Sequence, residues 1–157
     1  MRKILLIAFL LLAAFSQSNA RIINSQNVSV DIPDNWTVLE AGEPMLVLAE
    51  APKTGSVSTN MILTKTKVTE AGSAEKQKEM GMNNLQSIFS GIKLIESNGN
   101  FWVFEDSLND EELPIMQIQY FYVKDNFVYT LTFSSAQNAF RLLRPVFEKI
   151  EGSLILR

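Results

Sequence analysis

The 157-residue chain contains no histidine and no cysteine. Without His it lacks the commonest general base and the commonest transition-metal ligand. Ser-His-Asp and Cys-His nucleophilic arrangements, His-based zinc sites and haem ligation by His are therefore excluded. Without Cys there is no disulfide and no thiolate metal site; an exported domain with an adequate core does without the former. No internal repeat is present, and no linker is long enough to separate two domains. Basic residues are not clustered either, which argues against nucleic acid and anionic membrane surfaces as partners.

What is present begins with an address. Arg2-Lys3 is a short positive region, Ile4 to Phe15 is an unbroken apolar run, and Ser16-Gln17-Ser18-Asn19-Ala20 supplies small residues before a cleavage point. This is the three-part layout of a secretory signal peptide, with cleavage expected between Ala20 and Arg21. The apolar run of 12 residues falls short of the roughly 20 that a spanning helix needs, so no permanent membrane anchor is expected. The missing Cys excludes a lipoprotein anchor. Residues 1–20 are thus read as the signal peptide and 21–157 as a single domain, in a periplasm or another exported space. Removing Arg2 and Lys3 from 14 basic side chains leaves 12 against 17 acidic ones, a mildly acidic domain.

The stretch Leu113 to Ser135 organises the rest. Two runs rich in Ile, Tyr, Phe, Val and Thr flank Lys124-Asp125-Asn126, a pattern that predicts a long β-hairpin. Asp and Asn tolerate positive φ, so Asp125-Asn126 is placed at the centre of a tight turn. One face then pairs Tyr122 with Tyr129, Tyr120 with Leu131 and Ile118 with Phe133. The other pairs Val123 with Val128, Phe121 with Thr130 and Gln119 with Thr132. A one-residue slip would mix these sets, so the pattern specifies its own register. Burying the apolar face supplies on the order of 10 kcal/mol of transfer free energy, provided another layer covers it.

Upstream, Val28, Val30 and Ile32 alternate with polar residues as a half-buried strand should. Pro33-Asp34-Asn35 is a turn, Trp36–Leu39 is extended, and Met45–Ala49 is a short apolar strand. Val57–Val68 is strand-like, and Lys65 and Lys67 near its end are read as edge protection. Glu70–Ile92 predicts a helix capped by Ser73, with Glu75 in its first turn. Asn98-Gly99, a strong turn dipeptide, joins Ile92–Ser97 to Phe101–Glu105 as a second hairpin, pairing Ile95 with Trp102 and Leu94 with Val103. After the long hairpin, Ser134 or Ser135 is expected to cap a last helix to about Ile150. Ala136, Phe140, Leu143, Phe147 and Ile150 form its apolar stripe, and Leu154–Leu156 adds a terminal strand. The fold class is therefore α+β, an antiparallel β-sheet flanked by helices as an α-β-α sandwich.

Several features resemble chemical sites. Glu105, Asp106, Asp110, Glu111 and Glu112 form an acidic loop, but their spacing lacks the alternating acids and central Gly of a calcium loop; they read as a solvated loop. Ser73-Ala74-Glu75-Lys76 matches Ser-x-x-Lys, yet Lys53-Thr54-Gly55 lies upstream of it, in the reverse of the order that chemistry uses. Asn27-Val28-Ser29 and Asn35-Trp36-Thr37 are glycosylation sequons, relevant only in a eukaryotic host. The polar part of the hairpin's second face, Gln117, Gln119, Thr130 and Thr132 with Phe121, is either a solvated sheet surface or the lining of a partner or ligand surface. No cofactor and no metal is expected.

The order of these elements resembles one family. Ile32-Pro33-Asp34-Asn35-Trp36 is similar to its opening strand-Pro-turn-Trp signature, and Asn60-Met61-Ile62-Leu63 to its next strand. Tyr120-Phe121-Tyr122 followed by Phe127-Val128-Tyr129-Thr130-Leu131-Thr132-Phe133 is similar to its aromatic hairpin. Phe140 through Pro145, Phe147 and Ile150 match its closing helix. The chain from about Val28 to Leu156 thus resembles the PsbP-like superfamily and, within it, the DcrB-like bacterial envelope proteins. That resemblance implies an antiparallel sheet between helices and a mostly non-catalytic role, with no shared active-site motif to carry across. The expectation is an exported, non-enzymatic protein that binds a protein partner of the cell envelope. The alternatives are a holdase-like chaperone or lipid-binding module with a groove lined by Phe121, Val123 and Val128 and, less favoured, a carboxylate or Ser-Lys hydrolase.

Overall fold

The computed structural model describes residues 19–53, 57–68, 76, 79, 91–99, 101–106 and 114–157. Among these residues the strands are β1 (Ala20–Ser25), β2 (Val28–Pro33), β3 (Thr37–Leu39), β4 (Met45–Glu50), β5 (Asn60–Lys67), β6 (Ile92–Ser97), β7 (Phe101–Asp106), β8 (Ile115–Lys124), β9 (Phe127–Ala136) and β10 (Ile155–Leu156), and one long helix, α1, spans Gln137–Gly152. The strands form a seven-stranded antiparallel sheet in the order β3-β4-β5-β9-β8-β7-β6 and a three-stranded sheet in the order β1-β2-β10. The α+β class is as expected. Of the expected helix over 70–92, only Lys76 and Glu79, both helical, and the residues from Gly91 onward are described; Ser73 and Glu75 lie outside the described residues.

The long hairpin has the register that its pattern demands. Tyr122 faces Tyr129, Tyr120 faces Leu131, Ile118 faces Phe133, and Gln119 faces Thr132. Asp125 and Asn126 have φ of 50° and 62°, the left-handed pair that a tight two-residue hairpin turn requires. The hairpin sits at the centre of the sheet, with β5 on one flank and β7 on the other.

Four local expectations fail for physical reasons. First, Ser134 and Ser135 do not cap α1. They belong to β9, where they pair with Gln117 and Met116, and Ala136 is the N-cap with no side-chain cap bond. The Gln137 N–H donates instead to the Pro114 carbonyl at 2.9 Å, so the start of β8 satisfies the helix end that a serine was expected to satisfy. Second, the turn between β6 and β7 closes one residue later than Asn98-Gly99 suggests. The Asn98 Oδ1 accepts from the Phe101 N–H at 3.1 Å, so Ser97 and not Ile95 faces Trp102, and after an irregularity between Leu94 and Glu96 it is Phe104 and not Val103 that faces Leu94. Third, the edge expected at Lys65 and Lys67 is not that of an edge strand: β5 is interior, and only where it runs past Thr64, the last residue that β4 pairs, does it have β9 alone as a strand neighbour. Fourth, β2 is more than half-buried: Ser29 is only 5% exposed, because β2 is the middle strand of the small sheet. Its flanking strand β1 had no clear periodic signal.

One core joins the layers. Phe147 of α1 stacks on Phe133 of β9 with centroids 4.6 Å apart and planes 14° apart, meets Phe140 at 5.8 Å and receives Trp36 edge-on at 6.5 Å. Ile118, Leu131, Phe133 and Phe147 are fully buried, as are Val28, Val30 and Ile32 of β2. Polar contacts fix the orientation of α1. The Tyr122 hydroxyl donates to the Glu151 carboxylate, and Arg144 forks onto Glu96 at 2.8 and 3.2 Å while its Nε donates to Glu148 at 3.0 Å. Arg144 also holds the Glu96 carboxyl below the usual range. Ser153 Oγ accepts from the Asp31 N–H and donates to the Ile150 carbonyl, tying the helix end to β2.

Two outcomes follow. Phe147→Ala should lower stability by about 3–5 kcal/mol, the usual cost of emptying a buried aromatic site, whereas Leu142→Ala, on a side chain 80% exposed, should stay within about 0.5 kcal/mol; urea denaturation measures both. The second concerns alkali. Burial, reinforced by Glu148 and Glu151, raises the Tyr120 phenol from 10.0 to about 12, and burial with the Glu151 hydrogen bond raises Tyr122 as well. A group whose folded pKa is raised contributes stability that is complete below its unfolded pKa and is lost as pH climbs toward the folded one. The urea midpoint should therefore fall between about pH 10 and about pH 12, and fall less steeply in Tyr120→Phe.

Candidate functional site

Alternation along each strand gives the large sheet two chemically different faces. The first carries Ile118, Tyr120, Leu131 and Phe133 and is covered by α1 and the small sheet. The second carries Gln117, Gln119, Phe121 and Val123 from β8, with Val128, Thr130, Thr132 and Ser134 opposite them on β9. The five residues singled out from the sequence, Gln117, Gln119, Phe121, Thr130 and Thr132, therefore lie together on one face of the central hairpin. Phe121 faces Thr130, Gln119 faces Thr132, and Gln117 adjoins them beside Ser134.

This face is not a freely solvated sheet surface. All five residues are half-buried, and Phe104 and Val128 on the same face are only 1% and 8% exposed. Trp102 of β7 meets Phe121 edge-on at 4.9 Å, placing an aromatic pair beside the amides and hydroxyls. In the row that runs through Gln117, the Asn60 Oδ1 is buried without a hydrogen-bond partner. Val123, at the turn end, is 50% exposed. Of the apolar groove expected from Phe121, Val123 and Val128, only Val123 is open.

A second feature had gone unread in the sequence. At the turn end of the sheet, on the first face and beyond the reach of α1, Glu43, Pro44, Leu46, Lys65, Lys67 and Phe127 line a cavity of about 520 Å³. Lys65 and Lys67 are two residues apart in β5, so both project to one side, opposite Tyr129 and Phe127 of β9. The Lys65 ammonium lies 4.2 Å from the centre of the Phe127 ring and 5.9 Å from that of Tyr129, within cation–π range. The Glu43–Pro44 peptide is cis, the Pro44 carbonyl accepts from the Lys65 N–H at 2.9 Å, and Glu43 accepts from Gln26 Nε2 at 3.1 Å. The signal was a Lys-x-Lys facing a Phe-x-Tyr across one strand pair, which becomes visible only once β5 is known to pair with β9.

The remaining sequence candidates do not assemble. Of the acidic loop, Glu105 and Asp106 are the last two residues of β7 and Glu105 accepts from Gln137 Nε2 at 2.8 Å, while Asp110, Glu111 and Glu112 lie outside the described residues. Among the described residues no group of three or more acidic side chains is placed to hold a metal. Ser73 and Thr54-Gly55 also lie outside them, and Lys76 is exposed. Asn27 and Asn35, the acceptors of the two sequons, are exposed. No helix among the described residues is long and apolar enough to cross a membrane.

No protein-family model and no curated protein matches the chain. Solved structures do. The cyanobacterial PsbP protein CyanoP of Synechocystis sp. PCC 6803 superposes with a TM-score of 0.58 at 10% identity, over 90% of this chain and 95% of its own. LpqN, a Mycobacterium tuberculosis protein involved in cell envelope biogenesis, gives 0.56 at 12% identity, over 88% and 90%. The Ran-binding protein Mog1p of Saccharomyces cerevisiae gives 0.63 at 4% identity, over 89% and 96%. Identities this low speak to architecture, and the shared architecture spans nearly the whole of each chain. The chain has the PsbP-like fold.

Proposed function

We propose that the protein is an exported, non-enzymatic, DcrB-like binding module that recognises a protein partner in the cell envelope through the second face of its central hairpin. The observation that carries this reading is the asymmetry of the large sheet. One face is committed to the core, and the other sets the amides of Gln117 and Gln119 and the hydroxyls of Thr130 and Thr132 beside the Trp102–Phe121 pair, all half-buried. Aromatic area bordered by groups that both donate and accept is the composition of a protein-recognition surface, where bulk hydrophobicity is not the distinguishing feature. Two further points support the reading. The N-terminal layout of Arg2 to Ala20 directs export, and two proteins of the same fold, LpqN and Mog1p, are involved in envelope biogenesis and in binding Ran. The mildly acidic balance of the domain and its lack of a basic cluster favour protein over nucleic acid as partner.

Site-specific photocrosslinking in cells tests this. A photoreactive residue at Gln119 or Thr132 should yield a discrete adduct with one envelope protein, and one at Leu142, on the exposed side of α1, should not. Thr132→Arg should abolish the adduct formed from Gln119 while the far- and near-UV circular dichroism stays unchanged. Equal labelling from Gln119 and Leu142, or no adduct from either hairpin position, would overturn the proposal.

A further inference from the structure

The cavity at the turn end of the sheet stands apart from the hairpin's second face, on the opposite side of β5 and β9, and has a chemistry of its own. We propose that it is a binding site for a small amphiphilic monocarboxylate, a molecule with one carboxylate head and a short apolar or aromatic body. This inference does not rest on the protein-binding reading and stands or falls separately from it.

Three observations lead to it. The first is the pairing of charge with apolar surface in one open-sided pocket. Lys65 and Lys67 bring two ammonium groups to the same side of β5, and Phe127, Leu46 and Pro44 form the adjoining wall. A volume of about 520 Å³ falls within the range of small-ligand pockets, which combine apolar walls with a few polar anchors.

The second is the state of those two charges. The ion pairs of Arg144 with Glu96 and Glu148 are made elsewhere, and among the described residues neither Lys65 nor Lys67 has a carboxylate partner. Lys65 rests instead on aromatic rings, which orient an ammonium group without neutralising it. The one acid of the cavity, Glu43, is engaged by Gln26. Among the described residues two lysines without a carboxylate partner stand on one side of β5, in a chain whose formal net charge is −3, so the local field opposes the overall one and favours an anion. Lys124 reinforces it: it faces Phe127 across the hairpin end, although its Nζ donates to the Leu156 carbonyl at 2.7 Å.

The third is selectivity. Glu43 on the cavity wall disfavours a second negative charge on the ligand, and Phe127 and Leu46 offer nothing to the oxygens of a bare inorganic anion. A single anionic head seated between the lysines, with its apolar body over Phe127, uses every wall at once. Charge-assisted hydrogen bonds to ammonium groups are the stronger kind, and both lysines reach the cavity from a strand that β9 holds along one flank.

Titration of the isotopically labelled protein with octanoate, followed by amide and lysine side-chain NMR shifts, is the test. The expected result is saturable binding with the largest shifts at Lys65, Lys67, Phe127 and Tyr129, weakening as salt is added. 1-Octanol and inorganic phosphate, each carrying half of the ligand's chemistry, should bind at least about tenfold more weakly, the scale of one lost charge-assisted contact. Lys67→Gln, at an exposed position where the fold is not at stake, should weaken octanoate by about tenfold, and Lys65→Arg should retain it. No saturable shifts at millimolar octanoate, octanol or phosphate binding as well as octanoate, or a Lys67→Gln variant with unchanged affinity would each overturn the proposal.

Discussion

The stacking of Phe147 on Phe133 is the contact on which the rest of the structure depends. Phe133 lies in the middle strand of the large sheet and Phe147 on the buried stripe of the helix, so this one ring pair joins the two main layers. Trp36 reaches the same ring from the turn after β2 and brings in the small sheet. Each ring buries a large apolar area, and edge and stacked geometries add to the gain from burial alone. The helix cannot slide along the hairpin without breaking this stack. Tyr122 with Glu151 near its C-terminal end, and Arg144 with Glu96 at its middle, then fix its rotation.

Committing the first face so completely has a consequence for everything outside it. The hairpin's register puts every residue of even number from Ile118 to Tyr122 into the core, and so puts Gln117, Gln119 and Phe121 on the other side. The polar groups of that second face are not scattered surface residues but the obligatory complement of the core pattern, held in register by a rigid scaffold. Side chains on interior strands are held more precisely than side chains on loops. The same logic accounts for the cavity at the turn end. There β5 and β9 continue beyond β4, and the helix does not follow them. The core face changes from Leu63 and Leu131 to Lys65, Lys67 and Phe127, an apolar floor becoming a charged one within a single strand pair.

Much of this was readable in the chain where neighbours in sequence are neighbours in space. The long hairpin was legible to the residue because its two strands are joined by two residues, and only one register keeps six apolar side chains on one side. The stripe of Phe140, Phe147 and Ile150 was legible because helical periodicity is local. The failures share a cause. Ser134 and Ser135 look like caps until β8 takes them as strand partners. Asn98-Gly99 looks like the centre of a turn until Asn98 turns its side chain onto the Phe101 amide. In each case a long-range or side-chain partner outweighed a preference worth about 1 kcal/mol or less.

That Gln117, Gln119, Phe121, Thr130 and Thr132 share one face was legible in the sequence, since it follows from alternation about a hairpin that specifies itself. The cavity was not, because its walls come from the loop before β4, from β5 and from β9, segments whose juxtaposition no local pattern encodes. By itself the sequence determined the excluded His- and Cys-based chemistries, the central hairpin and the apolar stripe of the last helix. Only the tertiary structure decided which strands flank the hairpin, that β2 lies buried between β1 and β10, and that two lysines and a phenylalanine line one open-sided pocket. The physical reason is that periodicity selects the face of an element, whereas the entropy of closing long loops is offset only by the packing of all the elements at once.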